Sequence, residues 1–187
     1  SDGTVAAWGR NAEGQLGDGT TTLRLAPVDI TTSGVLVGKT VISIVSGSNF
    51  GVALCLDGSL ASWGWNGQSA LGNGTSTPGA YPVPAAVTSG VLSGKTVVTV
   101  SAGAAHNLAL CTDGTLAGWG VGSLGRLGNG FETTHPTPIE VSQATLGAGE
   151  RFAKIFVMRG ALHSLALGAA PAVPPATAPG IASPTSA

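Results

Sequence analysis

Apolar and polar positions along this chain fall in short blocks that suit strands. The run Val52-Ala53-Leu54-Cys55-Leu56 is unbroken, Asp57-Gly58 follows, and Ser59-Leu60-Ala61-Ser62-Trp63 adds a second largely apolar stretch. Strand, turn, strand is the reading, since Asp-Gly suits a type I′ turn whose two central residues need positive φ. Residues 108–112 with Asp113-Gly114 repeat the arrangement. β-Branched residues predict a further strand over 40–45 and its counterpart over 96–100. Nowhere does a 3.6-residue apolar period persist with caps, so essentially no helix is predicted.

The blocks recur. Asp-Gly stands at Asp2, Asp57 and Asp113, Trp-Gly at Trp8, Trp63 and Trp119, and Leu-Gly-x-Gly starts at Leu16, Leu71 and Leu127. Each landmark advances by about 55 residues, the span of one supersecondary unit. A second block, Ser-Gly-Val-Leu-x-Gly-Lys-Thr-Val, occupies residues 33–41 and 89–97. Three units therefore cover residues 1–167, as 1–56, 57–112 and 113–167. The expected framework of each is its Trp, its Leu (Leu16, Leu71, Leu127) and its turn (Asp57 with Gly58, Asp113 with Gly114). Residues 168–187 hold five Pro among many Ala and no charge, the composition of an extended linker. Their last ten resemble the entry to a following domain.

Units of this length, each a small antiparallel sheet, stack radially as propeller blades. The segment Trp8-Gly-Arg-Asn-Ala-Glu-Gly-Gln-Leu-Gly-Asp-Gly-Thr20, the later Pro27-Val28, and Gly103-Ala-Ala-His106-Asn-Leu-Ala-Leu110 resemble the repeat of the regulator of chromosome condensation family. That resemblance implies an all-β propeller, usually of seven four-stranded blades, of which three units form an open arc. Departures are local. The Asn after Trp-Gly is Asn11 and Asn66 but Gly122, and the Gln before Leu-Gly is Gln15, then Ala70, then Arg126. His106 and His163 correspond to Phe50 in the first unit. Unit three also carries Ile155 five residues before Gly160, where Val100 stands three before Gly103, which predicts a bulge or a two-residue insertion.

Composition narrows the function classes. Charged residues are 9% of the chain, against roughly 25% in an average globular protein. With a net charge of −1 and no basic stripe, nothing here would neutralise nucleic-acid phosphates or anchor to an anionic membrane. No apolar run is long enough to span a bilayer. The opening Ser-Asp-Gly-Thr-Val lacks the features of a signal peptide, so a processed or excised piece is expected.

Several motifs imitate chemistry. Gly120-Val-Gly-Ser-Leu-Gly125 spells the dinucleotide fingerprint, but that site needs a following helix and its repeat equivalents do not match. Residues 33–40 and 89–96 approach a phosphate loop with the first Gly one place late; a blade connection is the better reading. Cys55 and Cys111 are repeat equivalents. At a radius of about 10 Å in a seven-bladed ring they lie about 9 Å apart, beyond the roughly 7 Å a disulfide tolerates, so two buried thiols are expected. His106, His135 and His163 have no Cys or carboxylate at ligand spacing, and no cofactor or metal is implied. Asp57 and Asp113 belong to turns, Glu13 and Asp18 to a variable loop, so no acid/base pair or activated nucleophile marks an enzyme.

What varies between units points to function. Arg10, Ala12 and Glu13 align with Trp65, Gly67 and Gln68, and with Val121, Ser123 and Leu124. Trp65, whose counterparts are Arg10 and Val121, is an aromatic the repeat does not require. These nine are the partner-contact candidates. The expectation is a non-catalytic propeller scaffold of a secreted or cell-surface protein, contacting a protein or glycan. The alternative implied by the resemblance is a protein regulator, such as a nucleotide-exchange-factor-like or enzyme-inhibitor propeller. Further repeats of the same parent chain, or self-association through the end faces of the arc, are the other expected contacts.

Overall fold

The β-branched and apolar runs become strands that pair with their nearest neighbours in sequence. In the computed structural model, which describes residues 3–170, the first two are β1 (Ala6–Gly9) and β2 (Arg24–Asp29), an antiparallel pair. A four-stranded meander follows: β3 (Val41–Ser46), β4 (Phe50–Cys55), β5 (Leu60–Trp65) and β6 (Ala80–Ala86). The next repeats it with β7 (Val97–Ala102), β8 (His106–Cys111), β9 (Leu116–Gly120) and β10 (His135–Glu140). A last pair is β11 (Arg151–Phe156) and β12 (Leu165–Ala169). Short 3-10 turns at Gly34–Leu36, Gly90–Leu92 and Ser123–Gly125 are the helical content of the described residues. The first two occupy the phosphate-loop lookalikes, and the third follows β9 where the dinucleotide fingerprint would need a full helix.

The sequence repeat and the sheet are out of phase. Each repeat begins at an Asp-Gly turn, between the second and third strands of a sheet, and so supplies half of one sheet and half of the next. The twelve strands of the described residues, the content of three blades, are thus divided between two whole sheets and two half-sheets. Gly168 and Ala169, grouped with the linker from sequence, belong to β12. The rest of the linker beyond residue 170, and the domain entry it resembles, lie outside the described residues.

The Asp-Gly hairpins differ from the expected type I′ turn. Only the glycines have positive φ, +81° at Gly58 and +85° at Gly114. Gly58 N–H donates to the Cys55 carbonyl and Cys55 N–H to that of Ser59, each at 2.9 Å. This is a type I turn closed by a left-handed glycine, which keeps Asp57 in ordinary backbone space. Asp57 Oδ1 accepts the Ser59 N–H at 3.0 Å, and Asp113 Oδ1 that of Thr115 at 2.9 Å. Lys39 pairs with Asp57 and Lys95 with Asp113, so the Lys of the recurrent block clips its connection to the next hairpin. The bond from Lys39 holds the Asp57 carboxyl well below the usual carboxylate range, and that from Lys95 brings Asp113 to about 2. The register shift in the third unit, between Phe152 and Lys154, has equivalents at Val41/Ser43 and Val97/Thr99. A bulge in the first strand is therefore common to all units, and the extra two residues of unit three fall in the connection after β11.

Successive sheets are locked by tryptophan. Trp63 on β5 donates its indole N–H to the Gln15 carbonyl at 3.0 Å, and Trp119 on β9 donates to the Ala70 carbonyl at 3.1 Å. Each ring lies on the glycine of the preceding Leu-Gly: a Cβ at Gly17 would come within 2.9 Å of Trp63, and one at Gly72 within 2.6 Å of Trp119. Both rings are buried, at 3% and 0% exposure, with Leu71 and Leu127 fully buried and Leu16 nearly so. Cys55 and Cys111 are buried free thiols. Trp8 departs from the expected framework role: it is 62% exposed. An indole packs on the sheet before its own, and among the described residues none precedes β1–β2.

Position, not residue type, then sets the cost of losing each ring. Trp63→Ala or Trp119→Ala should destabilise by about 3–5 kcal/mol in urea unfolding, whereas Trp8→Ala at high dilution should stay within about 0.5 kcal/mol of the parent.

Candidate interaction surface

Three equivalent loops carry eight of the nine candidate residues, and the ninth, Trp65, ends the strand before the second loop. The loops follow β1, β5 and β9, over residues 10–23, 66–79 and 121–134. The first two are built around a buried asparagine. Asn11 Oδ1 accepts the Leu16 N–H at 2.9 Å while its Nδ2 donates to the Thr20 carbonyl at 3.0 Å. Asn66 does the same with Leu71 and Thr75, at 3.2 and 3.1 Å. Backbone bonds dock these loops on the outer strand of the next sheet, from Gly19 to Pro82 and from Gly74 to Pro136.

On this frame the variable positions face outward. Arg10 is exposed and paired with Glu13, whose other carboxylate oxygen accepts from Gln15 at 2.9 Å; Ala12 is exposed beside them. Trp65 is 37% exposed and folds across Gly67, where a Cβ would meet its ring nitrogen at 2.2 Å; Gln68 is exposed. Gly67 therefore belongs to the support of Trp65. In the third loop Val121 is partly buried while Ser123 and Leu124 are exposed. The candidates stand one group per loop, and among the described residues their side-chain hydrogen bonds and ion pairs stay within each loop.

The third loop is rebuilt. Gly122 replaces the buried asparagine because the Thr133 backbone occupies that space, its carbonyl 1.8 Å from where a Cβ would stand. Arg126 is buried and turns back on the loop, its Nε donating to the Ser123 carbonyl at 2.9 Å. Leu124 sits at φ +62°, held by a bond from its N–H to the Glu132 carboxylate at 3.0 Å. A left-handed leucine costs about 1–2 kcal/mol, and here it projects an exposed apolar side chain. Ser69, at φ +57°, takes the place that Gly14 and Gly125 hold in the other loops.

At the hub, residues that the variability argument missed come together. Ser48 N–H bonds the Ala104 carbonyl and Ala104 N–H that of Ala161, each at 3.2 Å, tying the three inner hairpin loops in a row. A 280 Å³ cavity there collects Arg10, Gln15, Ser48, Asn49 and Arg159 around Trp8. Arg159 lies in the two-residue insertion of unit three, the one sequence signal that marks it.

His106 is wholly buried, its ring over Gly103 as Phe50 lies over Gly47. Its Nε2 meets the Ser164 hydroxyl at 2.9 Å, Ser164 donates to the Arg126 carbonyl at 2.8 Å, and Nδ1 has no hydrogen-bond partner. His106 thus reaches the backbone of the third loop indirectly, through Ser164. Burial first, then the charges of Arg126 and His163, lower its pKa to about 4. The arrangement is structural: the buried side chains stabilise connections between sheets, and the exposed ones line the rim of the loops.

Fold and rim together define a segment of β-propeller that presents variable loops. The regulator of chromosome condensation (RCC1) repeat matches residues 2–54 and 57–110, and a second form of that repeat matches 41–69 and 97–126. The chain belongs to this family. Among curated relatives it is 35% identical over 139 residues to the human E3 ubiquitin-protein ligase HERC2, covering 73% of this chain and 3% of that protein. It is 30% identical over 140 residues to the ultraviolet-B receptor UVR8 of Arabidopsis thaliana, covering 75% of this chain and 30% of the receptor. The chain therefore spans a small part of these relatives. Human WBSCR16 superposes with a TM-score of 0.75 at 25% identity, over 90% of this chain and 41% of that one. Prp20p of Saccharomyces cerevisiae, whose structure was described with its binding to Gsp1p and histones, gives 0.73 at 22% identity, over 91% and 40%.

Two measurements bear on this geometry. A buried neutral His with a lowered pKa takes up its proton more readily in the unfolded chain, so stability is complete above pH 6.5 and falls as pH drops toward 4. The loss should reach at most about 3 kcal/mol, read by urea unfolding across that window, and should disappear in His106→Phe, the residue used at the equivalent Phe50. Leu124→Gly should stabilise the fold by up to about 1 kcal/mol in the same assay.

Proposed function

We propose that this chain is a non-catalytic scaffold segment that offers its outer loops to a protein partner in a secreted or cell-surface protein. One observation carries the reading: of the loop positions that differ between repeats, Arg10, Ala12, Trp65, Gln68, Ser123 and Leu124 are exposed, while the recurrent Trp63, Trp119, Leu16, Leu71 and Leu127 are buried. Trp65 is the natural anchor, a large aromatic held on Gly67 and partly exposed. Leu124, fixed in a strained conformation, is the apolar contact of the third loop. The low charge, the Ser/Thr/Gly-rich loops and the Pro/Ala-rich end support the extracellular setting. A glycan would suit an exposed indole, but the mixed apolar and charged rim favours a protein.

A second reading, a regulator of another protein's nucleotide state, draws on the fold shared with Prp20p and its reported binding to Gsp1p. Shared framework does not carry contact residues with it, and this reading ranks below the first.

Quantitative affinity capture from the native source, with the parent chain and with Arg10→Ser/Trp65→Ser/Leu124→Gly, separates the possibilities. Proteins held by the parent and by Lys39→Ala/Lys95→Ala but lost from the triple variant support the rim. Equal capture by all three would overturn it. Accelerated nucleotide release from a small GTPase would favour the regulator.

A further inference from the structure

We infer that Asn129 is a modification site at which the chain deamidates itself: the Gly130 amide nitrogen displaces the Asn129 side-chain amine as ammonia, and His135 supplies the proton. This concerns the chemistry of the third loop and not what the rim binds, so it stands apart from the proposed function.

Asn-Gly is the dipeptide best suited to such an attack, because glycine puts no side chain beside the nucleophilic nitrogen. The chain has three, Asn66-Gly67, Asn73-Gly74 and Asn129-Gly130, in the loops after β5 and β9. In an unfolded chain they would react alike; the fold sets them apart. Asn66 is wholly buried, and its amide is committed at both atoms, Oδ1 to Leu71 and Nδ2 to Thr75. Asn73 and Asn129 are both half-buried, and an exposed glycine follows each. Exposure does not distinguish these two.

Their partners do. Attack on Cγ builds negative charge on Oδ1, and both side chains have a donor there: the Phe131 N–H at 3.1 Å for Asn129, the Thr75 N–H at 3.2 Å for Asn73. Expulsion of the amine then needs a proton on Nδ2. His135 Nε2 stands 3.4 Å from Asn129 Nδ2, and the Thr133 hydroxyl, 2.8 Å from the same ring nitrogen, holds the imidazole in place. The equivalent of His135 beside Asn73 is Ala80, each opening the outer strand of its sheet, and Ala80 has no proton to give. The nucleophile after Asn73 is also engaged, since the Gly74 N–H donates to the Pro136 carbonyl at 2.9 Å.

The first unit shows that this loop accepts the product. Asp18 holds the place of Asn129 and Arg24 that of His135, and the two form an ion pair at 2.6 Å. Asp18 Oδ1 accepts the Thr20 N–H at 3.0 Å as Asn129 Oδ1 accepts that of Phe131. A carboxylate formed at 129 therefore enters a place the fold already builds for one. In the reaction the Gly130 nitrogen gives its proton to water and bonds to Cγ. The Cγ–Nδ2 bond breaks as Nδ2 takes the His135 proton, and ammonia leaves a cyclic imide. Water opens the imide at Cγ to give aspartate, or at the Asn129 backbone carbonyl to give isoaspartate, and His135 regains its proton from solvent. Water is consumed and ammonia released, with no change of oxidation state.

Incubation of the folded 187-residue chain at neutral pH, then digestion and mass spectrometry that separates aspartate from isoaspartate, tests this. Conversion at Asn129 should run at least about tenfold faster than at Asn73, well within what a positioned acid supplies. Asn66 should stay intact. His135→Arg restores the partner used in the first unit but holds its protons too tightly to give one. It should slow Asn129 at least about tenfold, and His135→Ala should do the same. In concentrated urea the three sites should convert at similar rates, indifferent to residue 135. Conversion at Asn73 as fast as at Asn129 in the folded chain would overturn the proposal. So would an Asn129 rate that neither substitution lowers, or an advantage of Asn129 that survives in urea.

Discussion

The indole lock between neighbouring sheets is the constraint on which the rest depends. A four-stranded meander has two faces to cover, and this chain has few charged or long polar side chains to spare for solvent-facing sheets. Each tryptophan solves part of the problem by laying its ring on the glycine of the preceding unit and giving its N–H to a carbonyl there. A buried Trp removes roughly 150–250 Å² from water, worth about 4–6 kcal/mol gross at about 25 cal/mol/Å². Its N–H would cancel much of that if left unpaired. Glycine at positions 17 and 72 is therefore as much a part of the lock as the indole, since any side chain there would hold the sheets apart.

Once adjacent sheets are locked, the loops after each third strand become rigid supports. Asn11 and Asn66 satisfy buried backbone groups that no strand can reach, which frees the residues around them to vary without loss of shape. The third unit shows what happens without that asparagine. The Thr133 backbone fills the space a side chain at 122 would need, Arg126 folds over Ser123, and Leu124 adopts left-handed backbone. Variable rim and framework are thus separable: the loops can change their exposed residues while the repeats keep the structure.

Much of this was legible in the residues. Apolar runs located the strands, and Asp-Gly located the hairpins although the turn closes through one left-handed residue and not two. Spacing argued correctly that Cys55 and Cys111 stay apart. Trp8 was misplaced because a repeat motif states which residue plugs a socket without stating whether a socket is present. Arg159, Ser48 and Asn49 escaped attention because the hub assembles from loops more than fifty residues apart, and no local pattern marks such a meeting.

By itself the sequence determined the unit: its length, its strands, its turn glycines and the residues that recur, because each reflects a local backbone or packing preference repeated three times. Only the tertiary structure decided the phase of strands relative to repeats, which indole is buried, and which carbonyl each one meets. Those are relations between neighbouring units, and the same Trp-Gly dipeptide is core or surface according to what stands beside it.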